Sequence, residues 1–256
     1  MQESEFTENQ EEFTRVIESI LAALVPALTD AVVDIQKPVL ETDKDKLKQV
    51  VGLDFIAFTK RLASGSKHIC DALFELSKTQ SDLHISIEGA VKDFLKMTTF
   101  FGNIHLNSKP YVNGIIQNKT IQEICGISPA TIEALYQAAK YLYEQQDYQE
   151  ASDAFGILVF LNSQTHLFWL GLGNSEFFCN HYQAALTAYA FAMRADPFDP
   201  HCHIYSCKCY EALGQIDQAI NALDLALIAI SDNKKYEALK PPLAAEKMRL
   251  QNKKTK

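Results

Sequence analysis

Residues 166–199 read HLFWLGLGNSEFFCNHYQAALTAYAFAMRADPFD and hold the chain's only tryptophan, Trp169. From Trp169, Leu172 follows at +3, Gly173 at +4, Tyr182 at +13, Ala185 at +16, Tyr189 at +20, Ala192 at +23 and Pro197 at +28. This spacing predicts two antiparallel helices joined by a short turn. Gly173 and Ala185 let the two backbones approach, and Trp169, Leu172 and Tyr189 are expected to fill the space around that contact. Pro197 lacks the N–H a continuing helix needs and is expected to stop the second helix.

The pattern recurs at a fixed interval. Thirty-four residues earlier stand Leu135, Ala138, Ala139, Tyr148, Ala151, Phe155 and Leu158, and thirty-four later His203, Ser206, Cys207, Ile216, Ala219, Leu223 and Ala226. Small residues recur at Ala139 and Ala151, and at Cys207 and Ala219, where the helices must touch. A 34-residue helix-turn-helix period with these positions is the tetratricopeptide (TPR) pattern, and three repeats are about the minimum for a stable array. The repeats are placed at about 132–165, 166–199 and 200–233.

Both ends of the array are punctuated. Ser128 is a good N-cap, and Pro129 suits the first helical position. A short amphipathic helix over Gly114–Cys125 is expected to cover the open face of the first repeat. After the third repeat Lys234–Leu239 reads as helical, Pro241 and Pro242 as a break, and Leu243–Leu250 as a capping helix, since an unpaired repeat exposes its stacking face. The TPR domain therefore spans 114–251, with a capping helix at about 234–251 and residues 252–256 as a solvated basic tail.

Composition narrows the class of function. The chain has 256 residues, 47% hydrophobic and 22% charged, with only 10 glycines and 8 prolines, which favours long helices over a turn-rich β fold. A net charge of -8 argues against broad electrostatic binding to nucleic acid or to an anionic membrane. The N-terminus, MQESEFTENQEE, is acidic where a secretory signal needs positive charge, and the longest apolar stretch, Ile20–Val33, is too short to span a bilayer and contains Asp30. Cys70, Cys125, Cys179, Cys202, Cys207 and Cys209 lack a disulfide-framework spacing and are expected as thiols in the cytosol.

The N-terminal half reads as a helical bundle over 13–106 behind a disordered lead-in, 1–12. Apolar residues recur at helical intervals over Phe13–Ile35, with a kink at Pro26, and again over Asp43–Ala63, His68–Lys78 and Leu83–Phe101. Ser64-Gly65-Ser66 reads as a turn, and 107–113 has the composition of a linker. The apolar stripes are expected to face the bundle's own core.

Several stretches resemble the class II type III secretion chaperones, the SycD, LcrH and IpgC group. They are Ser128-Pro-Ala-Thr-Ile-Glu-Ala-Leu-Tyr136, Tyr148-Gln-Glu-Ala151 with Phe155, Phe168-Trp-Leu-Gly-Leu-Gly173, and Cys209 to Ala219. The resemblance covers roughly Val112–Lys253. It implies a bacterial cytosolic chaperone, without enzymatic activity or cofactor, that keeps hydrophobic translocator subunits soluble. It also implies homodimerisation, and an extended client segment lying in the concave groove formed by the first helices of the repeats. TPR geometry then assigns Tyr136, Lys140 and Tyr143 of the first repeat to that groove, with Leu170, Asn174 and Phe177 of the second and Ile204, Tyr205 and Lys208 of the third. Tyrosine and leucine at helical spacing suit apolar anchors of an extended peptide. Two departures stand out. The family's lead-in before the repeats is short, whereas this chain has over one hundred residues there, and Lys140 occupies a position expected to be apolar.

Other chemistries fit less well. His203 and Cys207 are i and i+4, but they fall on the repeat's own packing positions, so no metal is expected. Gly171-Leu-Gly173 lies inside a helix with no preceding strand, unlike a dinucleotide fingerprint. No catalytic motif is present, and His166 and Asp196 lack partners that the sequence can place. A clamp for a C-terminal carboxylate needs converging Lys, Arg and Asn, whereas aromatic residues dominate this groove. The remaining alternative is a TPR adaptor in a secretion apparatus, with the N-terminal bundle as a second docking site.

Overall fold

The computed structural model describes residues 61, 64–65, 67–76, 89–90, 92–93, 96, 109–231 and 234–254. The lead-in, the helix over Phe13–Ile35 with its kink, the helix before Arg61 and most of Leu83–Phe101 lie outside the described residues. The described chain is all-α, with helices α1 (Lys109–Ile116), α2 (Ile121–Cys125), α3 (Pro129–Glu144), α4 (Tyr148–Leu161), α5 (His166–Phe178), α6 (Tyr182–Ala195), α7 (Pro200–Ala212), α8 (Ile216–Ser231) and α9 (Lys240–Lys254). A 3-10 turn, Lys234–Leu239, precedes α9.

Helices α3/α4, α5/α6 and α7/α8 form three hairpins, and each also packs against the next. The small residues of the 34-residue pattern sit where the pattern needs them: Ala139, Ala151, Ala185 and Ala219 have no exposed surface, and Cys207 is buried. A Cβ on Gly173 would lie 2.5 Å from the Tyr189 ring, so only glycine lets α5 and α6 meet there. Gly171 does the same toward Phe155 of the preceding repeat. The two glycines therefore serve different contacts, one within the repeat and one between repeats. Trp169 packs against the cluster of Ala185 and Tyr189 as expected, but it is not fully enclosed. It sits half-buried at the rim, with its indole N–H donating to the Ser163 carbonyl at 2.7 Å and its ring stacked on Phe191 at 4.5 Å.

The hairpin turns repeat as strictly as the packing positions. Gln146, Asn180 and Gly214, each 34 residues apart, all adopt positive φ, at 68°, 63° and 74°. Beyond each, the N–H of Asp147, His181 or Gln215 reaches back to the carbonyl of Leu142, Glu176 or Tyr210, which caps the first helix of each pair. Glycine and asparagine tolerate that backbone, and Gln146 holds it at some cost.

The entry to the array is built differently from the single helix expected over Gly114–Cys125. Asn118 turns the chain with φ 55°, and Thr120 and Glu123 form a capping box that starts α2. Helix α1 begins at Lys109, inside the stretch read as a linker, and a Cβ on Gly114 would meet Ile124 of α2 at 2.5 Å. Glycine there marks helix packing rather than a hinge. Ser128 caps α3 as expected, accepting from the Thr131 N–H at 3.1 Å.

Described residues of the N-terminal half join the core of the first repeat. Ile69, Ala72 and Leu73 are buried in one cluster with Leu135, Ala138, Leu158 and Phe168. Ser64 and Gly65, read as a turn, are helical. A Cβ on Gly65 would overlap the Asp153 carbonyl of α4, so the glycine permits close helix contact. Asp93 accepts from the Ser128 N–H at 2.8 Å and from the Thr131 hydroxyl at 2.7 Å, placing a carboxylate at the positive end of α3.

At the far end Leu243 and Leu250 of α9 cover the third repeat. Pro241 and Pro242 fall in the first turn of α9, where no N–H is required, and so they start the helix. The basic residues read as a solvated tail continue that helix to Lys254, with Lys253 paired to Glu211 at 3.0 Å and Lys254 to Asp217 at 2.5 Å.

Candidate binding groove

The nine sequence-assigned residues lie on the first helix of each repeat, α3, α5 and α7. Tyr136, Tyr143, Leu170, Asn174, Phe177, Ile204 and Tyr205 are half-buried, and Lys140 and Lys208 are exposed. Burial, then the nearby phenols of Tyr205 and Tyr148, push the Tyr143 phenol up to about 12.

Several of these side chains already have intramolecular partners. Tyr136 packs edge-on to Phe155 at 6.2 Å and against Phe168 at 5.7 Å, so part of its ring belongs to the core. Asn174 and the Tyr189 hydroxyl are hydrogen-bonded at 2.9 Å. Lys140 pairs with Glu144 at 3.5 Å, and the Lys208 ammonium lies 5.1 Å from the centroid of the Tyr205 ring. Tyr205 also stacks on Tyr189 at 5.8 Å. The surface that results offers aromatic and aliphatic faces, with cations on its first and third helices.

A second aromatic group was missed from the sequence. Phe178, which is 44% exposed, stacks on Tyr148 at 4.5 Å and meets Tyr143 at 6.0 Å and Phe177 at 5.4 Å. Phe177 in turn packs on Tyr182 at 5.7 Å. These residues continue the assigned groove along the hairpin ends of the first two repeats. The signal was available, because Tyr143 and Tyr148 recur 34 residues later as Phe177 and Tyr182.

Polar groups also gather at the repeat junctions. His166 has partners after all: Nε2 lies 2.7 Å from Asp199 and Nδ1 3.1 Å from the Ala192 carbonyl. Asp199 also meets His201 Nδ1 at 2.6 Å. Burial alone would raise the Asp199 carboxyl, but hydrogen bonds from His201 and His166 hold it far below the usual range. The hydrogen bond to Asp199 in turn raises His201. His203 and Cys207 do not converge with the other cysteines. Cys207 faces the core of the third repeat, while Cys202 and Cys209 face the cluster holding Tyr189. Burial pushes the thiols of Cys202 and Cys209 up to about 12. They are packing residues.

A tetratricopeptide-repeat family model matches residues 180–240. Low calcium response locus protein H of Yersinia pestis is 28% identical over 120 residues, which cover 47% of this chain and 71% of that protein. Over its repeats the chain is similar to the class II type III secretion chaperones. That group is non-enzymatic. The corresponding protein of Yersinia pseudotuberculosis matches equally, at 28% over 120 residues. Among solved structures, a T3SS complex from Aeromonas hydrophila shares the fold, with TM-score 0.55 and 21% identity over 57% of this chain and 99% of that one. The Yersinia enterocolitica chaperone SycD, solved with a peptide of the translocator YopD, gives TM-score 0.48 and 26% identity over 50% of this chain and 98% of its own. These class II chaperones match about half of the chain, and among the described residues no helix is long and apolar enough to cross a membrane.

Proposed function

We propose that this protein is a cytoplasmic bacterial chaperone that binds an extended segment of a hydrophobic type III secretion translocator and keeps the translocator soluble before export. The carrying observation is the aromatic face of α3, α5 and α7. Tyr143, Leu170, Phe177 and Tyr205 share it, none is fully buried, and Lys140 and Lys208 flank it in solvent. An extended peptide with spaced apolar side chains would set them against these rings, while the lysines and Asn174 meet its polar groups. The groove does not suit a carboxylate clamp, because its two cations stand on separate helices and Lys140 is already paired with Glu144. By kinship with the SycD group, the protein also forms homodimers.

Co-expression with a translocator such as YopD tests the reading. The wild-type chain should raise the soluble yield of the translocator and co-purify with it. Leu170→Lys together with Tyr143→Ala should abolish capture, with the helical signal and melting midpoint close to wild type. Wild-type recovery of translocator with that variant would refute groove binding.

A further inference from the structure

The junction between the first and second repeats is chemically unlike the one that follows. In the second repeat the position equivalent to Ser152 is Leu186, and in the third repeat the position equivalent to Glu176 is Tyr210. Leu186 and Tyr210 belong to one apolar cluster. At the first junction, Ser152 and Glu176 take these two places, Asp153 stands where the second repeat has the exposed Thr187, and all three are buried, Glu176 to 4% exposure. A carboxylate in a packing position needs a fixed partner.

Arg61 supplies it from outside the repeats. Its guanidinium donates to Ser152 Oγ and to Glu176 Oε1, and its Nε lies 3.2 Å from Asp153 Oδ1. Ser152 Oγ passes a hydrogen bond on to Glu176 at 2.8 Å, and His181 Nδ1 meets the other Glu176 oxygen at 2.8 Å. Asp153 and Ser152 are on α4, and Glu176 is on α5. One side chain of the N-terminal half therefore holds two successive repeats together. The Arg61 segment is itself seated, by Gly65 against the Asp153 carbonyl and by Ile69, Ala72 and Leu73 in the core of the first repeat. The partners Ser152, Asp153 and Glu176 are not groove residues, yet the first repeat carries Tyr143 on α3 and the second carries Phe177 on α5.

We propose that Arg61 is a positioning residue for the groove: it locks repeat one onto repeat two through Asp153 and Glu176, and so sets the spacing between Tyr143 and the rest of the client-binding face. The consequence for clients rests on the groove reading above. The lock itself does not. It gives the N-terminal half a role that a separate second docking domain would not have, since the half becomes part of the array's geometry.

The test uses the full chain. Spin labels are placed at Lys140→Cys on α3 and Lys208→Cys on α7, with Cys70 and Cys179 replaced by alanine. Arg61→Met should broaden or shift the label-to-label distance distribution relative to wild type. A second variant adds Ser152→Leu, Asp153→Thr and Glu176→Tyr to Arg61→Met, copying the second junction and removing the stranded carboxylates. It should restore a single narrow distribution, and it decides the matter if Arg61→Met alone does not fold. An unchanged distribution in Arg61→Met, or failure of the copied junction to restore it, overturns the proposal. In chains that keep Lys140, Lys208, Cys70 and Cys179, capture of co-expressed YopD should fall at least tenfold with Arg61→Met and recover with the copied junction. Failure of wild-type capture would sink the groove reading while leaving the distance result to judge the lock.

Discussion

At the entry end of the array, Ile69, Ala72 and Leu73 cover the first repeat, and the polar groups beside them are buried: Asp93 at the start of α3, and Asp153 and Glu176 around Arg61. At the exit end, Leu243 and Leu250 cover the third repeat, and the charges beside them are in solvent. There Arg249 pairs with Glu211 and Glu246, Lys253 with Glu211, and Lys247 with Asp224. Each end must hide a stacking face that the next repeat would otherwise cover. The entry end does so with a long-range segment whose charges fix its position. The exit end uses the next stretch of chain, tethered by proximity and decorated with screened ion pairs. Buried charge specifies one docking geometry because any other strands a carboxylate, whereas exposed pairs tolerate many.

The largest effects are expected from the apolar contacts, and there the two ends should behave alike. Leu73→Ala and Leu250→Ala each delete a side chain with little or no exposed surface. Each should cost about 3 kcal/mol in denaturant unfolding of the full chain. Hydrogen exchange should separate them by place: Leu73→Ala accelerating α3 and α4, Leu250→Ala accelerating α8 and α9. Equal acceleration along the whole array in both variants would mean that the ends are not independent caps.

That contrast also marks what the sequence could reveal. The hairpins, the small-residue contacts and the cap at Ser128 were all legible, because each is a local pattern that recurs at 34 residues. The turn positions Gln146, Asn180 and Gly214 obey the same period but were masked by three different residue types. Glu176 was readable as an oddity, since its sibling positions hold Leu142 and Tyr210, but its partner was not. Arg61 lies 115 residues away in sequence, and no periodicity links the two. Asp93 is similar, reaching Ser128 across 35 residues. Pairings of single charges over such distances leave no trace in composition or spacing. The linker composition of 107–113 likewise gave no sign of the helix that begins at Lys109, whose Gly114 packs closely on Ile124.

An intermediate effect should come from acid, and Asp93 isolates the entry end's share of it. Burial alone would raise the Asp93 carboxyl, but hydrogen bonds from Lys96, the Ser128 N–H and the Thr131 hydroxyl bring it down from 3.8 to about 2. A depressed carboxylate stabilises the fold above its unfolded value and loses that contribution as pH falls through the folded one. Asp93 should therefore contribute about 2 kcal/mol at neutral pH, lost between about pH 4 and pH 2. Glu176 is also held below its ordinary value, burial being outweighed by Ser152, Arg61 and His181, so it adds loss in the same direction. Unfolding measured against pH in wild type and Asp93→Asn should show the variant with the shallower acid slope. Parallel curves would remove Asp93 from the account.

The smallest effect belongs to the exit end, and it distinguishes the two kinds of cap most directly. Arg249 reaches Glu246 at 2.6 Å and Glu211 at 2.5 Å, on residues that are all partly exposed. Exposed pairs of this kind hold little free energy, and what they hold is screened by salt. Arg249→Ala should lower the melting midpoint slightly in dilute buffer and not at all in about 1 M salt, where the screening length is about 3 Å. Asp93→Asn, by contrast, should stay destabilised at both salt concentrations, because salt screens its pair with the exposed Lys96 but not its bonds from the Ser128 N–H and the buried Thr131 hydroxyl. A salt-independent loss in Arg249→Ala would make the exit cap as specific as the entry cap. The difference between the ends would then lie in sequence distance rather than in electrostatics.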